Sequence, residues 1–193
     1  MPSAEAVARY FLWLAGREPG EEPVTHLRLQ KLLYYAQGWA LGSRGTALFE
    51  SALEAWPHGP VVRDVYGQFA RHERDPIPSE EGRDDENLSA RDKGLVEWVW
   101  GHYGKHSASE LWRMTHAEPP WLQARKGLPN DSKAKPPIDD GLVREFFGSL
   151  HRDVCKRAGL DPDLLAAAME EARQGKGIPL ADAIAEMNSG MGH

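Results

Sequence analysis

The stretch from Thr25 to Leu41, Thr-His-Leu-Arg-Leu-Gln-Lys-Leu-Leu-Tyr-Tyr-Ala-Gln-Gly-Trp-Ala-Leu, decides the fold. Thr25 has the side chain of a helix N-cap. Behind it Leu29, Leu32, Leu33, Ala36, Trp39 and Ala40 recur at three- and four-residue intervals, so the run predicts a helix over 26–41 with one broad apolar stripe. At 1.5 Å per residue such a helix is about 24 Å long and crosses a small domain. Gly42 and Gly45 mark its end. The run carries two tyrosines and a tryptophan but no nucleophile, metal cluster or phosphate loop. It therefore points to a packed interaction domain rather than a catalytic one.

Outward from this run, helical patterns dominate. Residues 3–15 predict a first helix capped by Ser3, with Ala6, Val7, Tyr10, Phe11 and Leu14 inside. Gly16 to Val24 reads as a loop. Residues 46–57 are ambiguous between turns and short strands at Leu48-Phe49 and Leu53 to Trp56. Pro57-His58-Gly59-Pro60 reads as a rigid turn, and Val61 to Arg71 as a helix. Glu73 to Arg91 is a polar insert expected to form a surface loop, mobile in part, with a brief strand at Pro76 to Pro78. Ser89 caps a helix over 90–103, and Ser107 or Ser109 starts a short one through Thr115. Pro119-Pro120-Trp121 reads as a turn, Lys126 to Pro137 as a basic loop, and Gly141 to Arg157 as a long helix. The expected fold is thus mainly α, a compact multi-helix domain with short β-strands near 48–56 and 76–78.

After Gly159 the character changes. Residues 160–187 predict two short helices of small residues with no aromatic side chain. The expected organisation is a main domain over 1–158 and a C-terminal helical extension over 159–193.

The 193 residues suit one larger domain, or one domain with an extension. Apolar residues make up 41%, enough for a core, and seven tryptophans let that core form from few leucines. The net charge of −6 disfavours a nucleic-acid binder, which needs a basic face, and suits a protein that meets a basic partner. The single cysteine, Cys155, allows no internal disulfide and fits a reducing cytoplasm. No signal-peptide pattern opens the chain, and no apolar run approaches the ~20 residues that span a bilayer. The expected protein is soluble and cytoplasmic.

Candidate chemistry is sparse. His102 and His106 have the four-residue spacing of metal ligands on one helix face, and with Glu110 they could be drawn as a hydrolase site. The H-E-x-x-H glutamate is absent, because position 103 is tyrosine, and Gly104 interrupts the helix. Two polar residues at a helix C-terminus is the simpler reading. Cys155 sits mid-helix with nothing to lower its pKa, and reads as a packed thiol. No G-x-S-x-G elbow and no phosphate loop occurs. The basic residues from Arg152 to Arg157 are interrupted by Asp153 and read as a solvated face. A helix-turn-helix drawn over 160–187 would have acidic residues where a major-groove reader needs cations. Tyr34, Tyr35, Trp39, Trp56 and Trp121 read most simply as core.

Three segments, in order, resemble one family. They are Leu27 to Trp39, then Glu54-Ala-Trp-Pro-His-Gly-Pro-Val-Val62 with Val65-Tyr66, then Ser107 to Leu111 with Thr115-His116 and Pro120-Trp121. They are similar to the Panacea antitoxin domain, the group of phage-associated GepA-like and SocA-like proteins, over roughly residues 5–150. The resemblance implies a mainly helical domain that is not an enzyme and has no cofactor. It implies an antitoxin that neutralises a cognate toxin by direct protein contact, or, in the SocA-like mode, an adaptor that delivers the toxin to the ClpXP protease. An autoregulatory DNA-binding role is disfavoured by the acidic balance. The shared residues are expected to build the scaffold: Leu29, Gln30, Lys31, Leu32, Tyr34, Tyr35, Trp39, Trp56, Gly59, Pro60, Val61, Tyr66, Thr115, His116, Pro120 and Trp121. Toxin choice is expected from the acidic insert and from the tail outside the match, where Leu164, Leu165, Met169, Ile178, Leu180, Ile184 and Met187 would form the gripping face.

Overall fold

A computed structural model describes residues 1–17, 23–72, 74–83, 87–129 and 131–161. Two compact units divide the chain, Met1–Gly148 and Ser149–His193. The helices expected over 160–187, and the toxin-gripping residues assigned to them, lie outside the described residues.

The first unit is built on α2, His26–Arg44. Thr25 caps it, its side chain accepting from the Arg28 N–H. The helix runs through Gly42 and stops at Gly45, which takes the left-handed conformation (φ 68°) and donates to the Leu41 carbonyl. The end expected at Gly42 is therefore one turn too early. Gly42 instead lets α2 lie against the backbone of Phe147 and Gly148, where a Cβ would meet atoms at 2.5–2.6 Å.

Every residue from His26 to Leu41 is buried except the half-exposed Leu27. The single apolar stripe is thus corrected to a helix enclosed on all sides. Its neighbours are α1 (Ala4–Arg17), α4 (Ala90–Tyr103), α5 (Ala108–Ala117), a β-hairpin and α3 (Arg63–Phe69). A sequence with Arg28, Gln30, Lys31 and Gln37 among its leucines disguises this, because full burial normally goes with an apolar surface all round.

The hairpin pairs β1 (Leu53–Trp56) with β2 (Gly59–Val62), antiparallel, Leu53 opposite Val62 and Trp56 opposite Gly59. Two expectations are corrected here. The turn is Pro57-His58 alone, and Val61-Val62 belongs to a strand, so α3 starts only at Arg63. The β-branched valines fit the strand, and the Gln30 side chain accepts from the Val62 N–H in place of a helical partner. Leu48-Phe49 is not a strand. Its two N–H groups donate to the Gln37 Oε1 and the Phe49 carbonyl accepts from the Gln37 Nε2, so one amide does the work of a neighbouring strand. The outer edge of β1 is covered by residues 136–138 through Ala55 N–H to the Pro136 carbonyl (2.7 Å) and Ile138 N–H to the Leu53 carbonyl (2.8 Å).

The polar insert is tied down over its described part. Pro76 bridges to Thr25, and the Ile77 N–H donates to the Val24 carbonyl. A 3-10 turn over Ser79–Glu81 lies on α1, and Ile77 and Leu88 are buried. Ser89 caps α4, and the Arg44 guanidinium on Asp92 (2.7 Å) clips the end of α2 to the start of α4. Ser107 and Glu110 form a capping box at α5. Pro119-Pro120-Trp121, expected as a turn, opens the short helix α6 (Pro119–Ala124), since proline is well suited to the first turn of a helix. The last helix among the described residues, α7, is Asp140–Arg157. In the second unit Cys155 is buried, its Sγ 3.5 Å from His151 Nε2, and burial pushes the thiol pKa up.

Candidate functional site

The polar side chains of α2 converge on backbone groups of the surrounding loops. Lys31 is fully buried, and its Nζ donates to the Pro60 carbonyl at 2.9 Å. Desolvation brings its pKa down to about 7. Gly59 beside it has φ 100°, and a Cβ there would stand 2.6 Å from the Lys31 Nζ. The glycine thus meets both a left-handed turn and the closeness of the lysine. Arg28 Nε donates to the His106 carbonyl (3.0 Å), its guanidinium lying over the Trp100 ring.

A second cluster gathers around Glu118. Tyr35 donates to its Oε1 at 2.9 Å and stacks on Tyr103, centroids 3.9 Å apart. The Tyr34 hydroxyl faces the same carboxylate outside hydrogen-bond geometry. Burial raises the Glu118 pKa to about 7 despite the two tyrosines, and raises both phenols as well. Tyr103 is pushed up to about 12 by burial and accepts from the Trp39 indole at 3.0 Å.

The later segments close on the hairpin turn. His116 Nε2 lies 3.1 Å from the Pro57 carbonyl, and its ring stacks on Trp112. Trp121 donates to the Trp56 carbonyl at 3.0 Å. Thr115 donates to the Leu111 carbonyl within α5, and Pro120 is buried. Leu29 and Leu32 are fully buried on α2, and Val61 is buried on β2. The structure therefore brings the scaffold residues of all three segments to one place around α2 and β2. Sequence reasoning missed Arg28, Gln37, Glu118 and Arg125 as members. Arg125 donates from a buried guanidinium to the carbonyls of Ala55, Ala134 and Ser132. The available signal was in α2 itself: three cations and no acid in nineteen residues is too few charges for a solvated face.

His106 Nδ1 lies 4.0 Å from Glu110 Oε2, but His102 is not brought to them as a third ligand. His102 stacks on Trp98 and bonds the Trp98 carbonyl, while Glu110 accepts from both the backbone N–H and the hydroxyl of Ser107. Among the described residues no group of three or more His, Cys, Asp or Glu side chains is placed to hold a metal ion. Nor is any described helix long and apolar enough to cross a membrane.

One open cleft of about 600 Å³ adjoins this scaffold at the start of α2. His26, Gln30 and Val61 form its floor, and the half-buried Trp56 and Tyr66 its aromatic wall. Trp56 and His26 each sit 4.5 Å from the Tyr66 ring.

Residues 29–122 match the family described as antitoxin SocA-like, Panacea domain. The chain is also 35% identical over 137 residues, 65% of its own length, to Antitoxin SocA of Caulobacter vibrioides (strain NA1000 / CB15N), covering 72% of that protein. The chain belongs to the SocA-like Panacea antitoxin family. No solved structure matches it.

Proposed function

We propose that this chain is the antitoxin of a toxin–antitoxin pair and neutralises its cognate toxin by direct protein contact in the cytoplasm, without catalysis of its own. The observation that carries the reading is the family match over residues 29–122, the segment that holds the second and third motif runs and all but the first two residues of the first. The arrangement of those runs supports it: their polar groups are spent on holding loops, as befits a scaffold whose outer surface does the binding. The aromatic-free tail over 160–193 is assigned the grip on the toxin.

Co-expression with the adjacent reading frame tests this. That frame alone should arrest growth, this chain should restore it, and the two should co-purify with the toxin undegraded. Growth arrest that this chain fails to relieve would end the reading. A second mode is favoured by the similarity to SocA: as in SocA-like members, the chain would deliver the toxin to an AAA+ protease such as ClpXP. In that mode toxin half-life falls when the antitoxin is present and recovers when the protease is deleted.

A further inference from the structure

The cleft at the start of α2 has cations about its rim in a chain whose net charge is −6, and the neighbouring Glu54 carboxylate, which accepts from the Trp56 indole at 2.7 Å, is paired with Arg63. None of the nine described residues that line it is acidic. His58 and Arg74 stand exposed at its rim, and the Lys135 ammonium lies 3.4 Å over the Trp56 ring. Helix α2 begins in its floor, with no acidic residue in its first turn to offset the positive end of the helix dipole.

One donor in the floor has no acceptor. Gln30 is 2% exposed. Its Oε1 is committed to the Val62 N–H at 2.8 Å, which fixes the orientation of the amide, so the atom left without a partner is Nε2, a donor. A buried donor of this kind is normally satisfied. A cavity with an unsatisfied donor below, aromatic faces at the side and cations above fits a carboxylate on an apolar stem.

We infer that this cleft is a docking pocket for an acidic loop of the partner protein, with one Asp or Glu carboxylate received by the Gln30 amide N–H beneath the Arg74 guanidinium and its apolar flank lying on Trp56 and Tyr66. The inference rests on the reading of the chain as a toxin-binding antitoxin and locates one contact of that complex. Charge complementarity selects the occupant: the rim carries cations and the floor an unsatisfied amide donor, so a basic loop is repelled and an apolar one leaves the donor unsatisfied.

The test uses the full chain and a short blocked peptide, acetyl-Gly-Leu-Glu-Phe-Gly-amide, against the same peptide with Gln for Glu. Spectra of the ¹⁵N-labelled protein follow the Trp56 indole and Gln30 side-chain N–H signals. The Glu peptide should shift both signals saturably, and the Gln peptide should bind roughly tenfold more weakly. Arg74→Glu, at an exposed position, should weaken the Glu peptide by a similar factor while leaving the spectrum elsewhere unchanged. Equal affinity for the two peptides, no saturable shift at millimolar peptide, or indifference to Arg74→Glu would each overturn the proposal. So would a single-stranded oligonucleotide that shifts these signals where the Glu peptide does not. The toxin supplies a second arm. If it binds wild type and Arg74→Glu equally, the pocket assignment fails and the antitoxin reading stands. If it does not bind wild type at all, direct neutralisation fails, and the peptide titration still decides the pocket.

Discussion

Burial brings two ionisable groups of opposite sign, Lys31 and Glu118, to titrate near neutrality. Glu118 titrates at about 7 when folded against an ordinary 4.5, so the folded chain holds a proton that the unfolded chain releases between those values. Its contribution is fully present below pH 4.5 and is lost as pH rises through about 7. Lys31 titrates at about 7 when folded against 10.5, so there the unfolded chain holds the extra proton. Its burial weighs most heavily below pH 7 and is relieved as pH climbs from 7 to 10.5. Together the two place the minimum of their joint contribution near neutrality. Glu118→Gln keeps an acceptor for the Tyr35 hydroxyl, and at pH 8 it should stabilise the chain by about 2 kcal/mol. The measurement is urea unfolding from pH 4 to 8, where the variant's profile should lose its downward slope. Lys31→Met removes the cation and also the donor to the Pro60 carbonyl. It should match or exceed wild-type stability at pH 6 yet fall below it by about 1 kcal/mol at about pH 11.5, where the lysine is neutral in both folded and unfolded chains and only the hydrogen bond is lost. Unfolding curves that do not cross between those pH values would refute the assignment of Lys31 as a desolvated cation.

At the scale of the element, α2 joins two roles that usually sit on different helices. Its leucines fill the core, and its amides, lysine and tyrosines reach past that core to hold the loops around it. Gln37 alone serves three backbone groups at Leu48 and Phe49. Gln37→Leu leaves them buried without partners, and the expected loss is about 3 kcal/mol, from a mean of ~1 kcal/mol per bond and the added desolvation of the orphaned groups. Thermal unfolding reads it directly. Close approach matters as much. The Phe147 ring of α7 occupies the space in which a Cβ on Gly38 would stand. Gly38→Ala gains up to ~1 kcal/mol of helix propensity, but displacing a buried ring costs about 1–3 kcal/mol, so the net change should be destabilising. A variant that melts above wild type would show that α7 yields at this contact.

For the whole molecule, the question is which surface meets the toxin. Deleting residues 160–193 should abolish rescue from toxicity while circular dichroism and the melting transition of the remaining domain stay intact. Full rescue by the truncated chain would move the grip to the domain, with the cleft beside Trp56 and Tyr66 as the first place to look. The anchored part of the insert bears on the same question. Pro76, Ile77 and the 3-10 turn after them are fixed to Val24, Thr25 and α1, which holds Arg74 at the rim of that cleft. The insert expected from its polarity to be a free loop is thus in part a wall of the domain. Its composition gave no sign of this, because anchoring is done by backbone groups, by the buried Ile77 and Leu88, and by Arg9 and Arg71 reaching Glu81 from outside the insert.

The sequence by itself determined the helices, their caps at Thr25, Ser89 and Ser107, the mainly α class and the family, because capping residues and apolar periodicity are local and the motif runs are contiguous. It placed the hairpin region but not its register, since Gly59 to Val62 is equally readable as turn and helix start until Gln30 supplies the partner for Val62. Only the tertiary structure decided that α2 is enclosed on all sides, that Lys31 and Glu118 titrate near neutrality, and that Gln30 turns an unsatisfied donor toward a cleft with cations at its rim. Each of these depends on what surrounds a side chain from distant parts of the chain. Burial, desolvation and the pairing of a donor are properties of that surrounding and are written in no single stretch of residues.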